Sequence, residues 1–160
     1  MATPTMTSSI EEQLVVFRLG AERYGIDISR VQGIERMQPV TVVPRAPHFV
    51  EGVINLRGQI TPVINLRARF GFTKVEPTKE TRIVVVYMRD QWVGLVVDAV
   101  AGVSRLNSSQ IEPPSAFVRS AESGYLRGIA KIEDGLLILL DLDKVLDGQE
   151  VVQLTEMMSE

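Results

Sequence analysis

An internal repeat constrains this chain more than any single motif. Residues 13–44 reappear without a gap as residues 82–113, and after a short insertion residues 52–66 reappear as residues 128–142. Most aligned positions exchange one apolar residue for another. Identical residues meet in the pairs Val15 and Val84, Val16 and Val85, Gly25 and Gly94, Val31 and Val100, Gly33 and Gly102, Arg36 and Arg105, and Pro44 and Pro113. The sequence therefore predicts one small unit used twice.

Short runs rich in Val, Ile, Tyr and Phe, separated by turn residues, predict β-strands in both repeats. Each repeat supplies about five strands, enough for a small closed barrel that leaves no free sheet edge. The first strand of one barrel could also complete the other. The predicted hairpins are 13–19 with 23–28, 52–56 with 60–66, 82–88 with 92–97, and 128–132 with 136–142; short helical turns are predicted at 29–32, 66–70, 98–101 and 142–146.

The predicted organisation is one folded domain between two polar ends. Its length of 160 residues is ordinary for a single domain with its own core. The apolar residues of the last segment, Val151, Val152, Leu154, Met157 and Met158, have the spacing of one amphipathic helix. The predicted segments are a flexible tail at 1–10, the domain at 11–147 with repeats at 13–71 and 82–146 and a connector at 72–81, and a tail or short helix at 148–160.

Composition narrows the class further. The chain has no Cys, which excludes disulfides and thiolate chemistry and suits a reducing compartment. The first residues lack the pattern of a signal peptide, and the apolar runs are too short to cross a bilayer. With 17 Lys and Arg against 20 Asp and Glu, there is no electrostatic reason to expect nucleic acid or an anionic membrane as partner. A soluble cytoplasmic protein is expected.

The sequence offers few groups for catalysis. His48 is the only histidine, so it cannot anchor an ordinary transition-metal site. Asp27 and Glu35 align with Val96 and Ser104 in the other repeat, so no symmetric pair of carboxylates exists. Residues 52–58 lack the spacing of a phosphate loop. We predict a protein without catalytic activity, metal or cofactor.

Residues 44–67 carry the most distinctive motif. From Phe49 to Arg67 the sequence reads Phe-Val-Glu-Gly-Val-Ile-Asn-Leu-Arg-Gly-Gln-Ile-Thr-Pro-Val-Ile-Asn-Leu-Arg. This stretch resembles the CheW-like family of chemotaxis coupling proteins. The likeness continues at 24–28, 93–98, 125–128 and 137–143, and covers about residues 12–146.

The resemblance implies both a fold and a function. The fold is all-β, a pair of five-stranded SH3-like barrels packed on a shared hydrophobic core. The function is that of a non-catalytic adaptor, a monomer when isolated, which couples transmembrane chemoreceptors to the histidine kinase CheA. Such a protein is cytoplasmic and is recruited to membrane-associated receptor arrays.

The resemblance also implies a groove at the junction of the two barrels. A receptor's helical tip would lay its apolar face there. The alternative is that the same side chains fill the shared core. The candidate residues are Ile28, Val31, Val100 and Val103.

The kinase would contact another face, at the end of the first barrel. The segment 40–50 would present apolar anchors and one charged rim residue, and its stiff proline-flanked loop would lose little entropy on docking. The alternative for Phe49 is packing under its own barrel. The candidates are Val42, Pro44, Ala46 and Phe49 with Arg45 on the rim, and Pro113, Pro114 and Phe117 for a second kinase domain that would build a ring.

Arg57 and Gly58 occupy a predicted turn. Many members of the family have Glu where this chain has Gly33, and that Glu pairs with the arginine at the position of Arg57. Glu35 lies two residues further along a strand and hence on the same face, so it could substitute. A structural turn and a partner contact are both open for Arg57 and Gly58.

Two alternative functions remain open. One is a CheW-like coupler of a non-flagellar signalling array. The other is a small β-barrel that binds nucleic acid, which would need aromatic platforms beside a basic groove. A single Trp, at position 92, and a net charge of −3 count against it.

Overall fold

The structure is a computed structural model that describes residues 10–113, 124–133, 135–146, 150, 153, 154 and 156. Its described part is built mainly from strands, with a short α-helix, α1 (Leu66–Arg69), single turns of 3-10 helix at Ile28–Arg30, Ser108–Gln110 and Leu142–Lys144, and helical residues near the C-terminus. The strands are β1 (Glu11–Leu19), β2 (Glu22–Asp27), β3 (Val31–Arg36), β4 (Val50–Leu56), β5 (Gln59–Asn65), β6 (Arg82–Met88), β7 (Gln91–Val97), β8 (Ala99–Asn107), β9 (Ile111–Glu112), β10 (Leu126–Ile132) and β11 (Gly135–Leu140).

The strands form two mixed sheets. One has five strands in the order β3-β6-β7-β5-β4, and the other has six in the order β8-β1-β2-β11-β10-β9. Within them, β5 runs parallel to β7 and β2 runs parallel to β11, while the other pairs are antiparallel. Each sheet takes strands from both repeats, because β1 and β2 join the second-repeat strands and β6 and β7 join the first. The two halves thus complete each other.

The predicted all-β class is confirmed, with one difference in strand number. The second sheet has six strands because the two-residue strand β9 pairs with β10. The helical turn predicted at 98–101 is wrong. This segment begins β8 instead, where Ala99 and Val100 pair with Arg18 and Phe17 of β1. Pairing between distant strands overrides the local preference there.

Among the described residues, three apolar clusters hold the sheets together. Successive residues of β1 face opposite sides, so Val15 and Phe17 enter the core shared by both sheets, whereas Leu14 and Val16 enter a core belonging to the six-stranded sheet. The shared core also receives Ile26, Val84, Leu95 and Leu140, and a third cluster of Ile54, Val63, Ile83, Val85 and Val96 belongs to the five-stranded sheet. Burial on both faces explains the nearly continuous apolar runs.

The C-terminal segment is helical where it is described, at Glu150, Gln153, Leu154 and Glu156. Leu154 is buried in the shared core, so this segment is fastened to the domain. The other apolar residues of the predicted helix, Val151, Val152, Met157 and Met158, lie outside the described residues.

Gly25 and Gly94 are repeat-related positions where a neighbouring strand comes close. A Cβ at Gly94 would lie 2.7 Å from Cγ2 of Ile83, and one at Gly25 would lie 3.3 Å from Cδ2 of Leu139. We expect Gly94→Val to lower the free energy of unfolding by about 2 to 3 kcal/mol and Gly25→Val by about 1 to 2 kcal/mol, because both overpack a buried site. Chemical denaturation of the two variants and the parent protein measures this, and wild-type stability in either variant would contradict it.

Candidate partner-binding surfaces

The loop between β3 and β4 presents apolar side chains to solvent. Thr41 holds this loop against β4 through two backbone hydrogen bonds with Val53, each 2.9 Å long. Beyond that anchor, Val42 is 76% exposed, and Pro44 and Arg45 are also exposed. Ala46 is half-buried and packs against the shared core. The loop therefore offers Val42 and Pro44 as accessible apolar contacts, with the Arg45 charge beside them.

This loop forms one wall of a groove of about 750 Å³. The C-terminal segment forms the opposite wall through Gln153 and Glu156. Sequence reasoning missed that wall: the apolar spacing around Leu154 indicates a helix, but nothing in the local pattern indicates where it packs. The groove thus combines a stiff apolar loop with a polar, acidic wall.

Phe49 lies inside the domain. Its side chain is only 4% exposed and belongs to the shared core. The guanidinium of Arg69 lies over the ring at 5.4 Å, and the His48 ring meets it edge-on at 5.7 Å. The geometry favours the packing alternative, so Phe49 fixes the loop from within and does not offer its ring to solvent.

The four residues of the predicted groove fall on or next to β3 and β8, each of which is one of the two edge strands of its sheet. Ile28, Val31 and Val100 are half-buried and pack against the shared core. Val103, in contrast, is 56% exposed. Its repeat mate Ile34, on β3, is 44% exposed and was not among the predicted site residues. The two edge strands therefore expose an equivalent apolar side chain each.

Two ion-pair clasps fix the points where these edge strands begin. In the first, Asp98 accepts hydrogen bonds from Nε and Nη2 of Arg67, at 2.9 and 2.7 Å, and from the backbone N–H of Gly20, at 2.7 Å. In the second, Asp143 accepts a 2.7 Å bond from Nη2 of Arg30 and a longer one from the backbone N–H of Arg89. Asp98 immediately precedes β8, and Arg30 immediately precedes β3. Each clasp joins the end of a parallel strand pair to a hairpin turn of the other sheet.

The pKa of Asp98 lies below its usual range, chiefly because the Arg67 guanidinium donates hydrogen bonds to it. A lowered pKa means that the ionised carboxylate stabilises the fold above the unfolded pKa of about 4 and that this contribution is lost as the pH falls through the folded pKa. Asp98→Asn should therefore cost about 1 to 2 kcal/mol at pH 7, and the difference from the parent should shrink below about pH 4.

Denaturant unfolding of both proteins at several pH values measures this dependence. Asp143→Asn is the matched control, because the pKa of Asp143 is also lowered by its arginine, Arg30, but its side chain is 53% exposed against 25% for Asp98. Solvent screens the exposed pair, so its loss should matter less. A pH-independent difference at Asp98 would contradict the clasp.

Arg57 and Gly58 form a two-residue turn between β4 and β5. Both have positive φ, at 54° and 85°, and the Gly58 N–H donates to Oδ1 of Asn55 at 2.8 Å. The Arg57 guanidinium pairs with Glu35 at 3.2 Å while remaining largely exposed. Glu35 thus supplies the carboxylate that Gly33 lacks. An exposed pair of this kind adds little stability, and it leaves the arginine accessible at the surface.

Of the predicted second kinase contact, Pro113 is exposed at the end of β9. Pro114 and Phe117 lie outside the described residues. Within the described part of the chain, no cluster of three or more His, Asp or Glu side chains could hold a metal ion. None of its helices is both long and apolar enough to span a bilayer.

Comparison with known proteins identifies the family of this chain. The family model of the CheW-like domain matches residues 13–150. The chain belongs to the CheW-like family. The chemotaxis protein CheW of Bacillus subtilis is 38% identical over 144 residues, which cover 89% of this chain and 92% of that protein. CheW of Klebsiella aerogenes is 37% identical over 143 residues, covering 89% of this chain and 86% of that protein.

Two further relatives extend the comparison. Protein FrzA of Myxococcus xanthus is 34% identical over 141 residues, which cover 85% of this chain and 86% of that protein. The crystal structure of the scaffolding protein TtCheW from Thermoanaerobacter tengcongensis matches with a TM-score of 0.81 at 39% identity, covering 88% of this chain and 97% of that one. The shared fold and family therefore extend over nearly the whole chain.

Proposed function

We propose that this protein is a non-catalytic adaptor that couples transmembrane chemoreceptors to the histidine kinase CheA in the cytoplasm. One observation carries the proposal. Among the exposed apolar side chains of the described surface, one set lies on the loop around Val42 and another lies on the edge strands β3 and β8. An adaptor needs two faces that can be occupied together, and membership of the CheW-like family supports the proposed partners.

The kinase's regulatory domain is proposed to contact the groove beside the 42–47 loop. Val42 and Pro44 provide apolar area, and Arg45 provides a charge at the rim, which is the usual arrangement around a binding hot spot. The Thr41–Val53 anchor holds the loop in place before binding. A preformed loop loses little entropy on docking.

The receptor tip is proposed to lie along β3 and β8. Ile28, Val31 and Val100 line the region from the core side, and Val103 is the contact most exposed to solvent. The surface at Pro113, Pro114 and Phe117 is proposed to meet a second kinase domain, since it is repeat-related to the 42–47 loop. Repeat-related faces on one monomer would allow it to link neighbours into a ring at the membrane-associated array.

Three exposed valines allow a matched test of the two faces. Val42, Val75 and Val103 are 76%, 52% and 56% exposed, so a change to Glu should leave each protein folded. We expect Val103→Glu to weaken receptor binding at least about tenfold and Val42→Glu to weaken kinase binding similarly, because each forces an unpaired charge into an apolar contact. Val75→Glu, in the connector, is the control and should change neither.

Binding would be measured by calorimetry with the kinase's regulatory domain and by co-sedimentation with receptor-containing vesicles, after thermal melts establish that each variant is folded. Loss of both partners in a folded single variant would contradict separate faces. Retention of both partners by all three variants would remove the proposed surfaces. Relatives named CheW and FrzA both match the chain. The proposed role is therefore the coupling of receptors to the kinase, whichever type of signalling array the protein joins.

A further inference from the structure

A small cleft lies at the tip of the β6–β7 hairpin, apart from both surfaces described above. Its volume is about 270 Å³, and it opens between this hairpin and the start of β5. Ile60, Tyr87 and Trp92 supply its apolar lining, and Gln59, Asp90 and Gln91 supply its polar groups. Ile60 and Tyr87 are exposed although both are large and apolar or aromatic.

The two aromatic rings are held in a fixed arrangement. Tyr87 and Trp92 are directly paired across β6 and β7, and their ring centroids are 5.0 Å apart at an interplanar angle of 63°. The turn next to them has only two residues, Arg89 and Asp90, both with positive φ, which is the tight turn that matches the twist of a hairpin. The two rings thus sit on a tight hairpin, and both line the cleft.

Asp90 adds a negative charge at the mouth of this cleft. Among the described residues its carboxylate has no hydrogen bond or ion pair. The nearby arginines are engaged elsewhere: Arg89 donates to the backbone oxygen of Asp143 at 2.8 Å, and Arg30 pairs with the Asp143 carboxylate at 2.7 Å. A carboxylate with no partner among the described residues, in a cleft lined by two aromatic rings, is suited to a cation.

We propose that this cleft binds the guanidinium of an arginine side chain presented by a protein partner. A guanidinium is planar, so it can stack on an aromatic face and donate in its own plane to the Asp90 carboxylate and to the amide oxygens of Gln59 or Gln91. An ammonium has no planar fork, so it cannot stack on a ring and donate within the stacking plane. The cleft is shallow and open at the surface, whereas sites for free small molecules enclose most of their ligand. A side chain that arrives on another protein fits this shape better.

Trp92 is the only tryptophan of the chain, so its fluorescence reports on this cleft alone. The full-length protein would be titrated with the capped tripeptide Gly-Arg-Gly, with the same peptide carrying citrulline or lysine in place of arginine, and with tetramethylammonium. We expect saturable binding of the arginine peptide in the millimolar range, weaker binding of the lysine peptide and of tetramethylammonium, and none of the citrulline peptide.

Two variants and a control test the residues. Asp90→Asn and Tyr87→Leu should each weaken binding of the arginine peptide by about fivefold or more, since each removes one of the two attractions. Glu22→Gln, an exposed carboxylate at the start of β2, should leave it unchanged. Equal responses to arginine and citrulline, an unchanged affinity in folded Asp90→Asn, or tighter binding of lysine or tetramethylammonium than of arginine would each overturn the proposal.

Discussion

Replacing Gly52 with Ala is expected to lower the free energy of unfolding by about 4 kcal/mol. Gly52 has a φ of +143°, which L side chains rarely adopt, and a Cβ there would collide with the backbone oxygen of Thr41 and approach Cγ1 of Val40 to 2.8 Å. Strained backbone and overpacking each cost about 1 to 3 kcal/mol, and both apply at this position. The collision would also displace the Thr41–Val53 anchor, so binding at the 42–47 loop should weaken with stability.

Gly102→Ala separates the two contributions. Gly102 also has a positive φ, +119°, but no atom lies within 4 Å of where its Cβ would be. It should therefore cost only the backbone strain, about 1 to 2 kcal/mol. Urea unfolding of both variants measures the difference. Equal losses at the two positions would show that the close approach of Thr41 contributes nothing.

Phe49→Ala is expected to cost about 3 to 4 kcal/mol, because it empties a buried aromatic site in the shared core. Arg69 would also lose the ring face that it covers. Phe72→Ala is the matched control, since Phe72 is an exposed phenylalanine in the connector, and its loss should cost less than about 1 kcal/mol. Thermal and urea unfolding of both variants provide the measurement.

Stability and binding of Phe49→Ala, measured together, distinguish a core role from an interface role. If Phe49→Ala melts like the parent protein but binds the kinase domain many-fold more weakly, the ring acts at the interface and the packing account fails. If stability and both partner interactions decline together, Phe49 acts through the loop that it supports.

The repeat and the short runs rich in Val, Ile, Tyr and Phe between turns were sufficient to predict an all-β chain built from one unit used twice. They raised the possibility that the first strand of one half completes the other, but they did not establish that both β1 and β2 join the strands of the second half, because pairing between distant strands depends on tertiary contacts that no local window contains. The segment 98–101 shows the same limit: its own pattern indicates a turn, but β1 pairs with it and extends β8.

The candidate surfaces were predictable to a similar extent. The loop bearing Val42 and Pro44 is exposed as a Pro-rich connection usually is. Phe49, at the end of this loop, is buried instead. The sequence of a loop carries no information on which of its side chains turns inward. The possible pairing of Glu35 with Arg57 was predicted from the family resemblance together with strand geometry, since residues two apart share a face, and the structure shows this pair. Ile34 was missed although it is the repeat mate of Val103.

The charges of the two clasps differ between the halves, and this difference disfavours the association of two like halves. The first half carries Arg30 and Arg67, and the second carries Asp98 and Asp143. Two first halves brought together would set Arg67 against Arg30, and two second halves would set Asp143 against Asp98. Like charges disfavour both mismatched pairings, while the pairing within one chain satisfies all four residues. The two halves have similar apolar faces, but their clasp charges are opposite. These charges favour pairing of a first half with a second half over pairing of two identical halves.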